Sequence, residues 1–568
     1  MTRSAVRARA LTLLATLLAV LGALVPDRAL ATPGPDSVAI LANSAVPGSV
    51  ALAEAYADAR DVPHRQICAV PMPTTEDVSL ADFQSMVRGP LESCLTDAGV
   101  LARIEAIVIA RGVPLRVSMD IGGTSRRVSL AAALALWNTT MADGTPVLGQ
   151  DPGHLVDCGG GSTCWGALWR SGYRGGPFEA GWERTVSSVT HRPMLVTMLH
   201  GRSDADAMRL VTSSVASEGS GMGEGEIVLM DGADPARGAL DGEYATVLTR
   251  LDTLGVTARE VPFAAEQTGL VLAGFATGTA SLGQTIEGNT FVPGALVDNL
   301  TSFGAVPENF RESGESQVSI ARWVAMGVAG AHGTTDEPLN NCFPSRTFLS
   351  DYASGATLAE SYFARMPYIY WHNLVLGDPM AAPYAHRPEV ALTLEGTSIT
   401  TPTVSAPIAL GTALEVSLDA PADRVLSRVA IYVDGVLHEE RLDAAANERA
   451  FTHCLGEGHP EAVGDDVQVL VAVTMASDIE RDLRAVRGWR AFRAAIVAGD
   501  GRCAAVTDDA GASDAGASPR DASPAADAGP SAPASGCACR AGHARTSAPP
   551  WLALTLVLGL GLRRRRRA

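Results

Sequence analysis

Short apolar segments alternate with amphipathic ones between residues 37 and 328, and this alternation constrains the fold more than any other feature. Strands that are apolar along their whole length are typical of parallel sheets with both faces covered by helices. Residues 32–388 are therefore predicted to form an α/β domain with helices on both faces of a parallel sheet. The predicted strands are 37–43, 67–71, 106–110, 194–198, 226–231 and 270–275. The predicted helices are 50–60, 79–98, 203–217, 242–254, 294–300 and 317–328, and residues 140–185 are expected to be an irregular insertion.

After residue 388 the pattern changes to segments of strand length that alternate polar and apolar residues or are wholly apolar. A period of two is typical of a strand with one buried face. Asp434-Gly435, between two such segments, predicts a tight hairpin. Residues 389–503 are therefore predicted to form a β-sandwich of immunoglobulin-like type, a module that serves as a spacer or a binding platform.

The first 31 residues have the organisation of a secretion signal. Three arginines and no acidic residue precede a mostly apolar, uncharged run over residues 10–25, and Ala29-Leu-Ala31 follows. Small residues at the first and third of these positions suit signal peptidase, so cleavage is predicted after Ala31. The alternative is an uncleaved membrane anchor, although the run is short for a membrane span.

The C-terminal end contains a second series of segments. Residues 504–536 are almost entirely Ala, Asp, Ser, Pro and Gly, a composition that predicts a disordered linker. Cys537-Ala-Cys539 follows, then a short apolar run over 551–562 and five arginines over 563–567. Arginines after an apolar run stay on the cytoplasmic side of a membrane.

Linker, cysteine motif, apolar run and arginine cluster together resemble the MYXO-CTERM sorting signal of myxobacterial surface proteins, with the tail at residues 537–568. The resemblance implies a sorting protease, and processing with lipidation at Cys537 or Cys539. A plain tail anchor with two incidental cysteines is the alternative. The protein is thus expected to contact the envelope membrane through its tail, at the cell surface or outer envelope, or to be released after processing.

Composition excludes several classes of function. The net charge of −18 argues against nucleic acid as a partner, because a nucleic-acid binder needs a basic surface to displace counterions. All 44 basic residues are arginine, so the chain has no lysine for a Schiff base, a Ser-Lys dyad or a P-loop. The glycine-rich residues 221–225 precede a predicted strand instead of a helix, unlike a dinucleotide fingerprint. No cofactor is expected.

The nine cysteines are expected to pair by default in an exported chain. Cys342 is left over, besides the two cysteines of the tail. Three disulfides are predicted from sequence spacing: Cys158 with Cys164, Cys68 with Cys94, and Cys454 with Cys503.

Several segments of the α/β region carry a family resemblance through their order along the chain. They are residues 36–40 with Ala55-Tyr56, then 111–116, 294–303, 329–338, 358–362 and 376–380. In this order they resemble a functionally uncharacterised family of exported bacterial proteins. The resemblance covers most of residues 36–386 and implies no activity.

The Gly377-Asp-Pro379 turn carries a more distant resemblance, to the caspase-like fold of gingipain-type cysteine peptidases. The α/β domain is therefore expected to be caspase-like or Rossmann-like. In those peptidases a His follows one strand of the sheet and a Cys follows the next. Residues 276–279 and 301–304 occupy these positions here and contain neither, so the dyad is expected to be lost from them.

A displaced site is conceivable around His332 and Cys342, which share one predicted loop with Asp336 and Glu337. A cysteine nucleophile needs a base within hydrogen-bond reach, so the candidate catalytic residues are His332, Cys342 and Glu337. The same loop offers His332, Asp336 and Glu337 as metal ligands, although no metal is expected. The alternative is that Cys342 is structural or disulfide-bonded and His332 lies at the surface.

Two further residues are candidates for binding a ligand. Arg111 directly follows a predicted strand, and ligands of open α/β sheets bind at the carboxyl ends of strands. A structural ion pair is the alternative for Arg111. Asp378 of the Gly-Asp-Pro turn is the other candidate, with capping of the turn as its alternative.

Export, surface sorting and an empty dyad favour a binding or scaffolding role at the envelope, without enzyme activity and with a protein or glycan ligand of unknown identity. The alternative is a hydrolase, in particular a cysteine peptidase of caspase-like fold with a displaced dyad. That alternative requires the side chains of the loop to converge in a cleft at the strand ends, namely His332, Asp336, Glu337 and Cys342.

Overall fold

A computed structural model describes residues 32–121, 124–136, 169–170, 184–186, 189–191, 194–219, 221, 223–312, 315–456, 462–476, 485–499 and 503. The predicted signal, linker and sorting tail lie outside the described residues, and so does most of the predicted insertion. Cys158, Cys164, Cys537 and Cys539 also lie outside them. Within the described part of the chain, no helix is both long enough and apolar enough to cross a membrane.

The α/β region is built around one large mixed sheet. The strands of the region are β1 (Val38–Asn43), β2 (Ile67–Val70), β3 (Asp77–Ser79), β4 (Ala106–Ala110), β5 (Arg116–Ile121), β6 (Thr124–Ser129), β7 (Trp169–Arg170), β8 (Arg184–Val186), β9 (Val189–His191), β10 (Leu195–Leu199), β11 (Glu226–Met230), β12 (Ala258–Val261), β13 (Val271–Thr277), β14 (Thr290–Asn299), β15 (Gly330–Thr334), β16 (Tyr368–Tyr370) and β17 (Asn373–Gly377). Ten of these strands form the large sheet, in the order β12-β11-β13-β14-β15-β17-β10-β4-β1-β2.

The helices of this region cover the sheet. They are α1 (Pro47–Ala59), α2 (Leu80–Asp82), α3 (Gly89–Asp97), α4 (Leu130–Ala135), α5 (Asp204–Ser217), α6 (Tyr244–Thr253), α7 (Ile320–Ala325), α8 (Phe348–Ala353) and α9 (Leu358–Arg365), with a π-helical segment, Phe83–Arg88, between α2 and α3. Every residue of β1, β4, β10, β15 and β17 is buried, so both faces of the central strands are covered, as their apolar sequences predict.

Two predictions for this region were wrong. The sheet is mixed and not wholly parallel, because β17 runs antiparallel to β15. Residues 294–300, predicted as a helix, belong mostly to β14, whose Leu296 and Val297 pair with β13. A short apolar run suits a buried strand and a buried helix equally well, so periodicity alone does not separate the two.

The C-terminal region contains two sheets made mostly of antiparallel strands. Its elements are β18 (Glu389–Leu394), β19 (Thr397–Ser398), β20 (Thr403–Ala409), β21 (Ala413–Asp419), β22 (Leu426–Val433), β23 (Val436–Leu442), α10 (Asp443–Ala446), β24 (Ala450–Cys454), β25 (Gly464–Met475) and β26 (Val486–Val497). The sheet orders are β19-β18-β21-β24 and β20-β26-β25-β22-β23. The predicted sandwich-like arrangement is thus confirmed.

The hairpin between β22 and β23 forms where Asp434-Gly435 predicts it. Both residues have positive φ, 46° and 72°, and Val433 pairs with Val436 across the turn. A two-residue turn with positive φ at both positions matches the twist of the flanking strands.

Separate hydrophobic cores and two disulfides stabilise the two regions. One core extends from Val38 to Ala381 and the other from Ala382 to Ile496. Cys68 of β2 is bonded to Cys94 of α3, and Cys454 of β24 is bonded to Cys503. Two of the three predicted disulfides are therefore confirmed, and the third lies outside the described residues.

Candidate functional site

The neighbouring strands β14 and β15 bring four polar side chains together beside the start of β17. Asp298 and His332 are register partners on β14 and β15, and Asn373 is the first residue of β17. Arg346, from the segment before α8, reaches the same point. These four residues are named the buried charge cluster.

The members of the buried charge cluster satisfy one another. His332 Nδ1 lies 2.6 Å from Asp298 Oδ1, and His332 Nε2 lies 3.0 Å from Asn373 Oδ1. Arg346 donates to Asp298 Oδ2 and, at 2.7 Å, to the Thr277 carbonyl. The Asp298, His332 and Arg346 side chains are all 0% exposed. Burial alone would raise the pKa of Asp298, but Arg346 and His332 hold that pKa below its usual value.

The hydrogen bonds of Asn373 determine what His332 can do. The Asn373 amide nitrogen donates to the Cys342 carbonyl at 3.2 Å and to the Tyr368 carbonyl at 2.9 Å. Its amide oxygen must therefore be the atom that faces His332. Both ring nitrogens of His332 then face oxygen acceptors and act as donors. A general base needs a free lone pair, and in this arrangement the ring has none.

Cys342 does not form the predicted catalytic pair with His332. It is a free cysteine, 0% exposed, and neither ring nitrogen of His332 bonds to its sulfur. Burial raises the pKa of the Cys342 thiol to about 12, whereas the nucleophile is the thiolate. The displaced dyad, an alternative that the sequence leaves open, gains no support because the fold places both groups in the interior. The alternative of a surface position for His332 was wrong for the same reason.

The predicted metal ligands do not converge either. Asp336 Oδ2 accepts a hydrogen bond from Arg127 at 2.9 Å, and Glu337 Oε1 accepts one from Ser302 at 2.7 Å. His332 is enclosed in the buried charge cluster and points to neither carboxylate. Among the described residues, no group of three His, Cys, Asp or Glu side chains could hold a metal ion. Glu337 likewise has no place in a catalytic arrangement with His332 and Cys342.

Arg111 and Asp378 take the structural alternatives that the sequence leaves open. Arg111 Nη1 lies 2.6 Å from Asp204 Oδ1, in an ion pair at the end of β4. Asp378 is 0% exposed and accepts from the Met380 amide at 3.0 Å, which caps the Gly-Asp-Pro turn. Asp378 also lies 2.8 Å from Arg60 Nε and accepts from the Tyr56 hydroxyl at 2.8 Å. Asp378 is therefore enclosed, whereas the Arg111 side chain remains 33% exposed.

A second group of buried charges joins the α/β region to the sandwich. Asp36 Oδ1 lies 3.0 Å from Arg487 Nη1, and Asp36 Oδ2 lies 3.2 Å from Arg428 Nη1. The Tyr432 hydroxyl donates to Asp36 Oδ2 at 2.9 Å. Burial opposes ionisation of Asp36, but Arg487 and Arg428 outweigh it and hold the pKa of this carboxyl well below its usual value. One aspartate thus binds two strands of the sandwich.

Trp489 forms a second connection between the two regions. Its ring lies under the guanidinium groups of Arg60 and Arg387, at 5.3 and 4.7 Å from the ring centroid. Its indole nitrogen donates to Asp61 Oδ2 at 3.2 Å. Because Arg60 also pairs with Asp378, the Gly-Asp-Pro turn contributes to this junction.

Sequence reasoning missed Asp298, Arg346 and Asn373 of the buried charge cluster, and it missed Asp36 and Arg487 at the junction. One local signal existed for Asp298, which follows the apolar Leu296-Val297 inside a buried segment. A charge in such a place requires a partner.

Comparisons with known proteins add little to this geometry. No family model matches the chain, and no curated protein matches it. Among solved structures, fibronectin(III)-like modules of Clostridium thermocellum CbhA match at 16% sequence identity with a TM-score of 0.13. That match covers 19% of this chain and 98% of the other.

Proposed function

We propose that the protein is an exported envelope protein with a binding or scaffolding role and without peptidase activity at its strand ends. The signal and sorting segments predicted from the sequence support export and display at the cell surface. The Cys68–Cys94 and Cys454–Cys503 disulfides are compatible with an oxidising compartment outside the cytoplasm.

The observation that carries this proposal is the closure of the buried charge cluster. Its charged side chains are 0% exposed, so no substrate can reach them without local unfolding. If the α/β domain is caspase-like, Thr279 and Thr301 occupy the segments where the dyad would lie. Both threonines are buried and hydrogen-bonded within the fold. The strand ends then serve to fix the fold and not to perform hydrolysis.

The junction between the two regions supports a scaffolding role. Asp36 and Trp489 connect the α/β domain to an immunoglobulin-like sandwich, Asp36 through a buried ion pair and Trp489 as a partly buried side chain. Charged pairs that are desolvated and well bonded resist separation, because breaking one leaves an uncompensated charge. A protein with such a junction can present both domains as one rigid surface.

The test uses the full chain, expressed with both ends in a bacterium that has an outer membrane. Wild-type protein should be accessible to protease on intact cells, and the purified protein should bind an isolated envelope fraction saturably. Cys342→Ala is the matched variant, since a binding role does not need the thiol. Saturable binding that is equal for both proteins is the expected result. Cleavage of a peptide library that Cys342→Ala abolishes would establish the hydrolase instead, and absence of saturable binding would refute the binding role.

A further inference from the structure

A cleft with a volume of about 480 Å³ opens between the α/β domain and the sandwich, away from the buried charge cluster. Arg65 and Arg103 line it from the α/β side, and Val436 and Leu437 of the β23 edge strand line it from the other. Pockets of a few hundred Å³ at domain boundaries are the usual size and place for small-molecule sites. The cleft has room for a ligand of one or two sugar residues.

Arg103 is a half-buried cation whose hydrogen-bond partners are all neutral groups. Its Nε donates to the Asp36 carbonyl at 2.8 Å, and its Nη2 donates to Gln66 Oε1 at 3.0 Å and to the Gly435 carbonyl. Its guanidinium lies 4.8 Å from the centroid of the Tyr432 ring. None of these contacts uses Nη1, which leaves two N–H donors of the guanidinium for another acceptor.

Arg65 adds a second positive charge to the same wall. Its Nη1 donates to the Ala98 carbonyl at 3.3 Å, and the side chain is otherwise exposed. Burial is the main cause that lowers the pKa of Arg103. Tyr432 and Asp36 oppose this shift, and the nearby positive charges of Arg428 and Arg65 lower the pKa further. Two like charges that face one cleft are stabilised when an anion lies between them.

The other charged groups of the cleft compensate this positive charge only in part, because the Asp36 carboxylate acts on Arg103 but forms its ion pairs with Arg428 and Arg487. Arg428 is paired with Asp36 and with Glu440, whose Oε1 lies 2.8 Å from its Nε. Asp97 lines the cleft at the end of α3 but forms no ion pair with Arg65 or Arg103 among the described residues. The chain as a whole carries a net charge of −18, so a local excess of arginine is not a consequence of composition.

We propose that this cleft binds an oxyanion, a carboxylate or a phosphate, held between Arg65 and Arg103 on a ligand of saccharide size. Guanidinium groups are well suited to this task because their N–H donors match the oxygens of both anions. Val436 and Leu437 would contact the apolar side of the attached sugar. This inference deepens the proposed binding role by giving it a site and a ligand class.

Calorimetric titration of the purified full chain tests the inference with three probes: digalacturonate, inorganic phosphate and neutral maltose. We expect an anionic probe to bind in a salt-dependent manner and maltose not to bind. Binding of digalacturonate alone assigns the site to acidic sugars, and binding of phosphate alone assigns it to phosphate-bearing ligands. Failure of both anions, or equal binding of maltose, would overturn the proposal.

Arg65→Gln is the informative variant, because Arg65 is exposed and its loss should not unfold the protein. Removing one charge-assisted hydrogen bond should weaken binding about tenfold. Arg209→Gln is the matched control, since Arg209 is exposed on α5, away from the cleft, and pairs only loosely with Asp206 at 3.6 Å. Equal affinities of both variants would overturn this site. Envelope binding that persists while all probes fail would refute the cleft but not the binding role.

Discussion

Asp36 Oδ1 and Arg487 Nη1 lie 3.0 Å apart although the two residues are 451 positions apart in sequence. Both side chains are almost fully buried, at 3% and 4% exposure, where the α/β region meets the sandwich. The same aspartate accepts a hydrogen bond from Tyr432 and pairs with Arg428, so both of its carboxylate oxygens have partners on the sandwich. This arrangement makes the docking of the two regions dependent on one carboxylate.

Replacing Asp36 by Asn should therefore destabilise the protein strongly. The variant removes the nearest counter-charge of the buried Arg487 and leaves only Glu105, 3.7 Å away. Breaking a buried pair in this way costs about 3–5 kcal/mol. Urea unfolding followed by circular dichroism measures the loss. Asp466→Asn is the control, because Asp466 forms an exposed pair with Arg493 at 69% side-chain exposure and should cost about 0–1 kcal/mol. Equal losses of unfolding free energy in the two variants would contradict a stabilising buried ion pair at Asp36.

Glu105 should make stability depend on pH near neutrality. Burial raises the pKa of this carboxyl from 4.5 to about 7, against the opposing effect of Arg487. Between these values the folded state binds a proton that the unfolded state lacks. The free energy of unfolding therefore falls as pH rises from about 4.5 to about 7.

Glu105→Gln isolates this effect, since the amide mimics the protonated acid at every pH. The variant leaves unchanged the groups that contact or act on Glu105, which are Ser37, Asp36, Arg428 and Arg487. Urea titrations at pH 5 and pH 8 should show a larger loss of stability for the wild type than for the variant. Equal losses in both proteins would show that Glu105 is not the titrating group.

Asp298→Asn should destabilise the α/β domain through Arg346. The variant leaves the Arg346 guanidinium, which is 0% exposed, without its carboxylate partner. The expected loss of stability is about 3–5 kcal/mol. The double variant Asp298→Asn with Arg346→Met removes both charges and should recover part of this loss. Thermal and urea unfolding check both expectations. If the double variant is as unstable as the sum of two independent losses, the two side chains are not coupled.

The Cys454–Cys503 disulfide should contribute to the stability of the sandwich. It closes a loop of 49 residues, and a loop of that length corresponds to about 4 kcal/mol in the chain-entropy account. The variant Cys454→Ala with Cys503→Ala removes it without leaving a free thiol. Differential scanning calorimetry should show a lower melting temperature for the variant. An unchanged melting temperature would show that the end of the sandwich is held by packing alone.

The sequence predicts well those parts of the fold that local patterns specify. The apolar run at 106–110 is β4, and Asp434-Gly435 forms its hairpin, because burial and turn conformation are encoded in neighbouring residues. The sequence pattern gives the wrong prediction at β14, because Pro293 and Gly294 disfavour a strand locally. The strand nevertheless continues through both residues in the sheet. There, pairing with β13 and β15 outweighs local preference.

The candidate site was less predictable, because its contacts join distant segments. His332 and Cys342 are close in sequence, yet the partners of His332 are Asp298 and Asn373, 34 and 41 residues away. Proximity along a loop says little about which side chains a sheet edge brings together. The sequence indicates only that a buried Asp298 needs a counter-charge. It does not indicate that Arg346 supplies this charge.

The most direct test of the account is the reactivity of Cys342 in the folded protein, read by peptide mapping after treatment with iodoacetamide at pH 8. Cys342 is a buried thiol whose pKa is raised to about 12, so the account predicts no modification of Cys342 until urea unfolds the chain. Rapid modification of Cys342 in the native protein would contradict it. That result would show an accessible thiolate at the strand ends and would favour the hydrolase over the binding protein.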